Sequence, residues 1–205
     1  MEIPDFHRTF LNDESLNRGA ARLLWAGITV SFPTKIADVI NMSLYDAAAG
    51  WNELGATKNG VNISFNNTEE TLDVDQIYSV IATTPTEWEC SVETTLSETT
   101  SDRLALAWEG GPVTTDATPP SGAEKNVTFG TPRSYTQRRL AVLFPRNSGK
   151  IRAYIFRIVQ RSPQDSTISF NKTGDQTVIP IRFNCLPDLS ISDEKSRLFV
   201  IRDQV

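Results

Sequence analysis

Residues 87–96 read EWECSVETTL, and the alternation in this stretch decides the fold. Glu87, Glu89, Ser91, Glu93 and Thr95 fall on one side of an extended chain; Trp88, Cys90, Val92, Thr94 and Leu96 fall on the other. Successive side chains of a strand point to opposite faces, so a period of two with one acidic and one apolar set predicts a half-buried β-strand. Trp88, Val92 and Leu96 are then core residues, and Cys90 is a packed thiol rather than a reactive one.

Downstream, SETTSDRLALAW (residues 97–108) places Ser97 and Thr100 ahead of acids and continues in helix formers, which predicts a helix of about three turns. Residues 109–136 are rich in glycine and proline, without periodicity, and longer than a compact domain commonly leaves idle. They predict an extended loop, mobile or ordered by a partner. Strands are expected at 140–144, 151–160, 167–171 and 176–183, with polar glycine turns at 146–149 and 172–175. The tail, 190–205, is polar until Phe199, Val200 and Ile201, which predicts an arm that docks late or on a neighbour.

Upstream, residues 61–65 and 71–74 alternate as short strands around Asn66-Asn67-Thr68-Glu69, a hairpin turn. The run RLLWAGITV (22–30), bounded by Gly19 and Pro33, predicts a first strand. In 36–49, Ile36, Val39, Ile40 and Leu44 recur at spacings of three and four, which predicts a short helix stopped by Gly50. The expected fold is mainly β, a β-sandwich or partly open barrel with one flanking α-helix. Its domain spans 20–189, includes the long loop 109–136, and lies between arms at 1–19 and 190–205.

The chain has 205 residues, 39% of them hydrophobic and 22% charged, which excludes a disordered chain. A chain of this length buries roughly 70% of its unfolded surface, so metals and disulfides are not needed for stability. No apolar run is long enough for a transmembrane helix, and the charged N-terminus predicts no secretory signal. The net charge of −5 hides two opposed blocks. Residues 66–116 hold eleven acids and one base, Arg103; residues 125–161 hold nine bases and no acid. The blocks admit three readings: pairing across strands of one sheet, a nucleic-acid surface, or complementary surfaces of neighbouring subunits. The third is preferred.

Chemistry finds little support. The only histidine, His7, sits in the terminal arm, away from any held nucleophile. Glu87 and Glu89 stand about 7 Å apart on one strand face. That spacing suits glycoside hydrolysis, but Glu93 continues the row and a charged face explains it better. The stretch DVDQ (73–76) lacks the spacing of a calcium loop, neither phosphate-binding glycine loop occurs, and Cys90 and Cys185 sit in no CxxC pair. Sequons at Asn41, Asn62, Asn66, Asn126 and Asn171 are incidental in a chain rich in Asn, Ser and Thr. No catalytic residue, metal or cofactor is expected.

Three stretches together carry a resemblance: GWNELGATKNGVNIS (50–64), the segment 74–96 with Pro85-x-Glu87-Trp88, and 152–188 with RAYIFRIVQR leading to TVIPIRFNCLPD. Their order over residues 20–190 resembles the major tail tube proteins of long-tailed bacteriophages, related in fold to type VI secretion tube proteins. The resemblance implies rings, commonly hexameric, stacked into a tube through which viral DNA passes without specific binding. It implies a structural virion protein, assembled in the host cytoplasm and located in the tail. Its partners would be itself and other tail proteins (tape measure, terminator, baseplate or tip), with no membrane.

On that reading Glu87, Glu89 and Glu93, with Asp73 and Asp75, line the channel and repel the duplex. The alternative is that these acids face outer solvent or pair with Arg152 and Arg157. The basic residues Arg133, Arg138, Arg139, Arg152 and Arg157 are the candidates for contacts between subunits. Competing functions are a neck or tail-terminator ring, and a carbohydrate-binding cell-surface sandwich using Trp25, Trp51, Trp88 and Trp108.

Overall fold

The computed structural model describes residues 20–74, 77–117, 123–131, 133–146, 149–162 and 177–204, with 73, 74 and 77–81 described by backbone alone. The N-terminal arm, the expected strand at 167–171 and Asp75 lie outside the described residues. In chain order the elements are β1 (Arg22–Gly27), β2 (Trp51–Glu53), β3 (Thr57–Val74), β4 (Ile77–Leu96), α1 (Ser101–Ala107), β5 (Thr114–Asp116), β6 (Glu124–Asn126), β7 (Gln137–Pro145), β8 (Ile151–Ser162), β9 (Ile179–Leu186) and β10 (Phe199–Asp203). Eight strands share one sheet in the order β2-β1-β7-β8-β9-β4-β3, with β10 also on β8; β5 and β6 form a separate pair. The chain is mainly β, with an antiparallel sheet left open at β2 and β3 rather than closed as a barrel.

Contacts group the chain into two units that divide within β8. In the first (up to residue 56, 137–158 and 187 onward), Leu24 and Ala26 of β1, Ala141 and Leu143 of β7, and Ile151, Ala153 and Ile155 of β8 build one core with Val39, Ile40 and Trp51. Leu23, Leu140, Val142 and Phe156 on the opposite face are buried too. Burial on both faces is why RLLW and LAVLF read as continuous apolar runs instead of alternating ones.

The helix expected at 36–49 does not form. Only Ile36–Asp38 makes a 3-10 turn. Asp38 accepts hydrogen bonds from the backbone N–H groups of Thr34 and Lys35 and the Thr34 hydroxyl, which hold its carboxyl below the usual carboxylate range. Beyond it, Asn41 Oδ1 accepts from Ser43 N at 2.9 Å, Tyr45 takes a positive φ of 56°, and Ile40 bridges to Ala47. Local side-chain bonds of this kind compete with helix formation. Val39 and Ile40 are buried without a helix, while Leu44 is 70% exposed.

The tail at 190–205 does not stay free for a neighbour. β10 pairs antiparallel with β8 of its own chain, Phe199 opposite Phe156 with ring centroids 5.3 Å apart. Arg152 clasps Asp203 through Nε at 2.6 Å and a terminal nitrogen at 2.9 Å. Hydrogen bonds to Arg152, and then its charge, hold the Asp203 carboxyl below the usual carboxylate range. A depressed carboxyl stabilises the folded state fully above its unfolded pKa, and the stabilisation is lost as pH falls through the folded one. Asp203→Asn is therefore expected to cost up to about 1 kcal/mol at neutral pH, as partly exposed pairs do. The deficit should shrink in acid, read as urea midpoints of both proteins at neutral and acidic pH.

In the second unit (57–136 and 159–186), Val92 and Leu96 of β4 are buried opposite Phe183 and Ile179 of β9, Ile181 is buried opposite Thr94, and Leu106 and Ala107 of α1, a helix that meets β9, are buried as well. Thr100 caps α1, accepting from Arg103 N at 3.4 Å. The helix has two turns instead of three, because Glu109 turns the chain with a φ of 51° and Gly110 N closes onto Ala105 O at 2.7 Å. A side chain at Gly110 would stand 2.8 Å from the Phe129 ring, so only glycine fits there. Trp108 meets Phe129 edge-on at 5.5 Å, and Gly111 N bonds Thr128 O. The described part of the long loop thus folds back onto its own helix, with β5 and β6 paired.

Candidate functional site

The strands begun by the alternating motif extend much further than it indicates. β3 and β4 form one long hairpin; Asn66, Asn67, Thr68 and Glu69, expected as a turn, are strand residues opposite Glu89, Trp88, Glu87 and Pro85. β9 pairs with β4 only from Ser91 to Leu96, so among the described residues the hairpin before Ser91 leaves the sheet as a two-stranded arm. Ten residues of β3 at about 3.3 Å each make this arm roughly 30 Å long. Pro85 lies inside it, at a register shift between Thr68 and Glu69, where β4 has become an edge strand and a missing N–H is tolerated.

Leaving the sheet also changes what the alternation means. Cys90 and Val92 are buried, as expected, but Trp88 is 52% exposed and not a core residue. It stacks on Phe65, itself 47% exposed, with centroids 5.1 Å apart and planes 19° from parallel. Leu72, further along the arm, is exposed as well. The arm therefore carries an apolar surface that nothing in the described chain covers.

The other face of β3, β4 and β9 is polar: Asn62, Ser64 and Asn66 lie beside Glu93, Ser91 and Glu89, with Arg182 and Asn184 completing the rows. Glu87 and Glu89 are exposed on this face. Glu93 forms an ion pair with Arg182, Oε1 to Nε at 3.2 Å, each side chain 43% exposed. Arg182 lies outside the basic block, and only the register of β9 against β4 reveals it. A depression of about 360 Å³ follows Lys58, Asn62, Glu93 and Arg182. At its rim Asn59 and Gly60 take positive φ values of 68° and 78°, a bulge between Lys58 and Val61. The Thr94 hydroxyl donates to Gly60 O at 2.8 Å and fixes it. Asp73 belongs to the arm by its backbone, and Asp75 lies outside the described residues.

The basic candidates have a different setting. Arg139 donates to Val30 O at 2.6 Å, Arg157 O at 3.1 Å and Ile28 O at 3.4 Å. Arg157 lies 4.0 Å over the Phe32 ring and donates to Ser196 O at 2.6 Å. Arg138 is buried, 5.8 Å from the Trp25 ring, and Arg152 holds Asp203. These four bind their own chain together, tying the segment after β1 to β7, β8 and the tail. Arg133 alone of the five is exposed. The opposed blocks meet within the chain at Asp102 and Lys125, 2.7 Å apart, a pair that holds Asp102 below its usual carboxylate range.

Among the described residues no group of three or more His, Cys, Asp or Glu is placed to hold a metal ion. Among the same residues no helix is long and apolar enough to cross a membrane. Compared with known proteins, the sequence matches no family model and no curated protein.

Proposed function

We propose that the chain is a structural, self-assembling subunit, a tail tube protein of a long-tailed bacteriophage whose rings stack into a conduit for DNA. The observation that carries this reading is the unfinished border at β3: an edge strand of 18 residues whose last ten belong to an arm with exposed Phe65, Leu72 and Trp88. An isolated two-stranded ribbon is marginal in water, and a long free edge invites another strand. Identical copies arranged in a closed ring satisfy both needs at once. Glu87 and Glu89, exposed on the polar sheet face, supply the carboxylates that would keep a duplex from sticking. With four of the basic candidates committed inside the chain, subunit contact falls to the arm and the β3 edge rather than to an arginine surface.

A second reading has its own observation. Trp88 stands beside a depression lined by Asn66, Glu87, Glu89, Arg182 and Asn184, an aromatic platform next to polar groups such as a glycan uses. Light scattering and negative-stain microscopy of the concentrated full chain separate the readings. Long tubes are expected. Isolated rings favour a neck or terminator protein, and a monomer whose tryptophan fluorescence changes with glycans favours the second reading. A lone particle, by itself and with other tail components, removes the conduit.

A further inference from the structure

Cys90 and Cys185 are the two cysteines of the chain; both are free thiols and nearly buried, 5% and 8% exposed. β4 and β9 pair antiparallel with Ser91 opposite Asn184, so the next rung of that register sets Cys90 opposite Cys185. Opposed residues of an antiparallel pair stand about 4.5–5.5 Å apart at Cα. A disulfide accepts separations of about 4.4–6.8 Å. Residues directly opposite share a face, and both cysteines line one depression. The neighbouring Cys185 lowers the Cys90 thiol from its ordinary range, whereas Cys90 and burial push Cys185 up. Both residues line the depression of about 370 Å³ beside Trp88 and Asn184, so solvent reaches their rung.

We infer that Cys90 and Cys185 form a peroxide-responsive dithiol that closes into a disulfide, stapling β4 to β9 at the rung where the hairpin arm leaves the sheet. The Cys90 thiolate attacks one peroxide oxygen; the O–O bond breaks, giving a sulfenic acid and hydroxide, which takes up a proton as water. Cys185 sulfur then attacks the Cys90 sulfur, the S–S bond forms, and the sulfenic oxygen leaves as a second water carrying the Cys185 proton. Two thiols and one hydrogen peroxide become one disulfide and two waters. The staple fixes the root of the arm whether or not the chain assembles, so this inference stands apart from the proposed function.

The test uses the folded full chain, hydrogen peroxide and mass spectrometry. Expected are loss of both titratable thiols, a mass lower by two hydrogen atoms, a peptide linking Cys90 to Cys185, and full reversal by dithiothreitol. Cys185→Ser should stop at a dimedone-reactive sulfenic acid on Cys90. The inference is overturned if both thiols survive a peroxide dose that oxidises free glutathione at the same pH, if the disulfides formed join separate chains, or if Cys185 is the residue dimedone labels in Cys90→Ser. The wild-type linkage map decides the matter even where a serine variant fails to fold.

Discussion

Phe156→Ala should lower stability by about 3–5 kcal/mol, the range for removing a fully buried phenylalanine ring. Phe156 has no exposed surface, lies on β8 opposite Phe199, and packs its ring against that residue. The substitution loses the transfer energy of the ring and leaves a cavity at the place where the tail strand is docked. Phe199 loses its stacking partner, so β10 should loosen ahead of the rest of its unit. For a chain of this size the loss corresponds to a fall in Tm of roughly 6–20 °C. It consumes about a fifth or more of the stability that domains commonly possess. Calorimetry gives the total, and hydrogen exchange at 199–203 gives the order of events. Leu189→Ala is the control: at 76% exposure it should stay within about 0.5 kcal/mol of wild type. An equal loss in both variants would mean that the Phe156–Phe199 contact does not hold the tail.

The second large effect is on association. Phe65→Ser combined with Trp88→Ser should leave a folded subunit and suppress self-assembly. Within one chain the pair is half exposed and its stacking contributes about 0.5–1.5 kcal/mol, so the subunit loses little. Between chains, exposed aromatics that become buried contribute about 2 kcal/mol or more each. Losing both removes about 4 kcal/mol, close to a thousandfold rise in the concentration needed for assembly. Sedimentation velocity across a concentration series reads that threshold directly. An unchanged threshold with an intact fold would show that the arm's apolar surface is not where copies meet.

Much of the fold was legible because local pattern and tertiary burial agree. The run at 22–30 is a strand as far as Gly27, those at 140–144 and 151–160 are strands, Thr100 caps the helix, and Val92 and Leu96 are core residues. The failures share a cause: pattern reveals what alternates, not where a neighbouring strand stops. Trp88 continues the apolar alternation of Val92 and Leu96, yet β9 ends its pairing at Ser91 and leaves the indole in water. Asn66 and Asn67 have turn chemistry, but a ladder extending to Val74 and Ile77 overrides it. Val39 and Ile40 mimic a helix because both are buried by a turn. Glu93 was visible as part of an acidic row, whereas its partner Arg182 and the Cys90–Cys185 rung depend on a register between segments nearly ninety residues apart, which no local window contains.

The pairing of β3 with β4 slips three times, between Lys58 and Val61, Thr68 and Glu69, and Leu72 and Val74. Two of these slips pass over residues of β3, Asn59 and Gly60 at the first and Asp73 at the last, while the middle one passes over Thr86 of β4, so the outer border of β3 is a comb with missing teeth. A generic extended peptide, with its evenly repeating amides, cannot stay in step with that border beyond a few residues. Only a surface whose own irregularities fall at the same intervals can follow it, so the border resists indiscriminate strand addition.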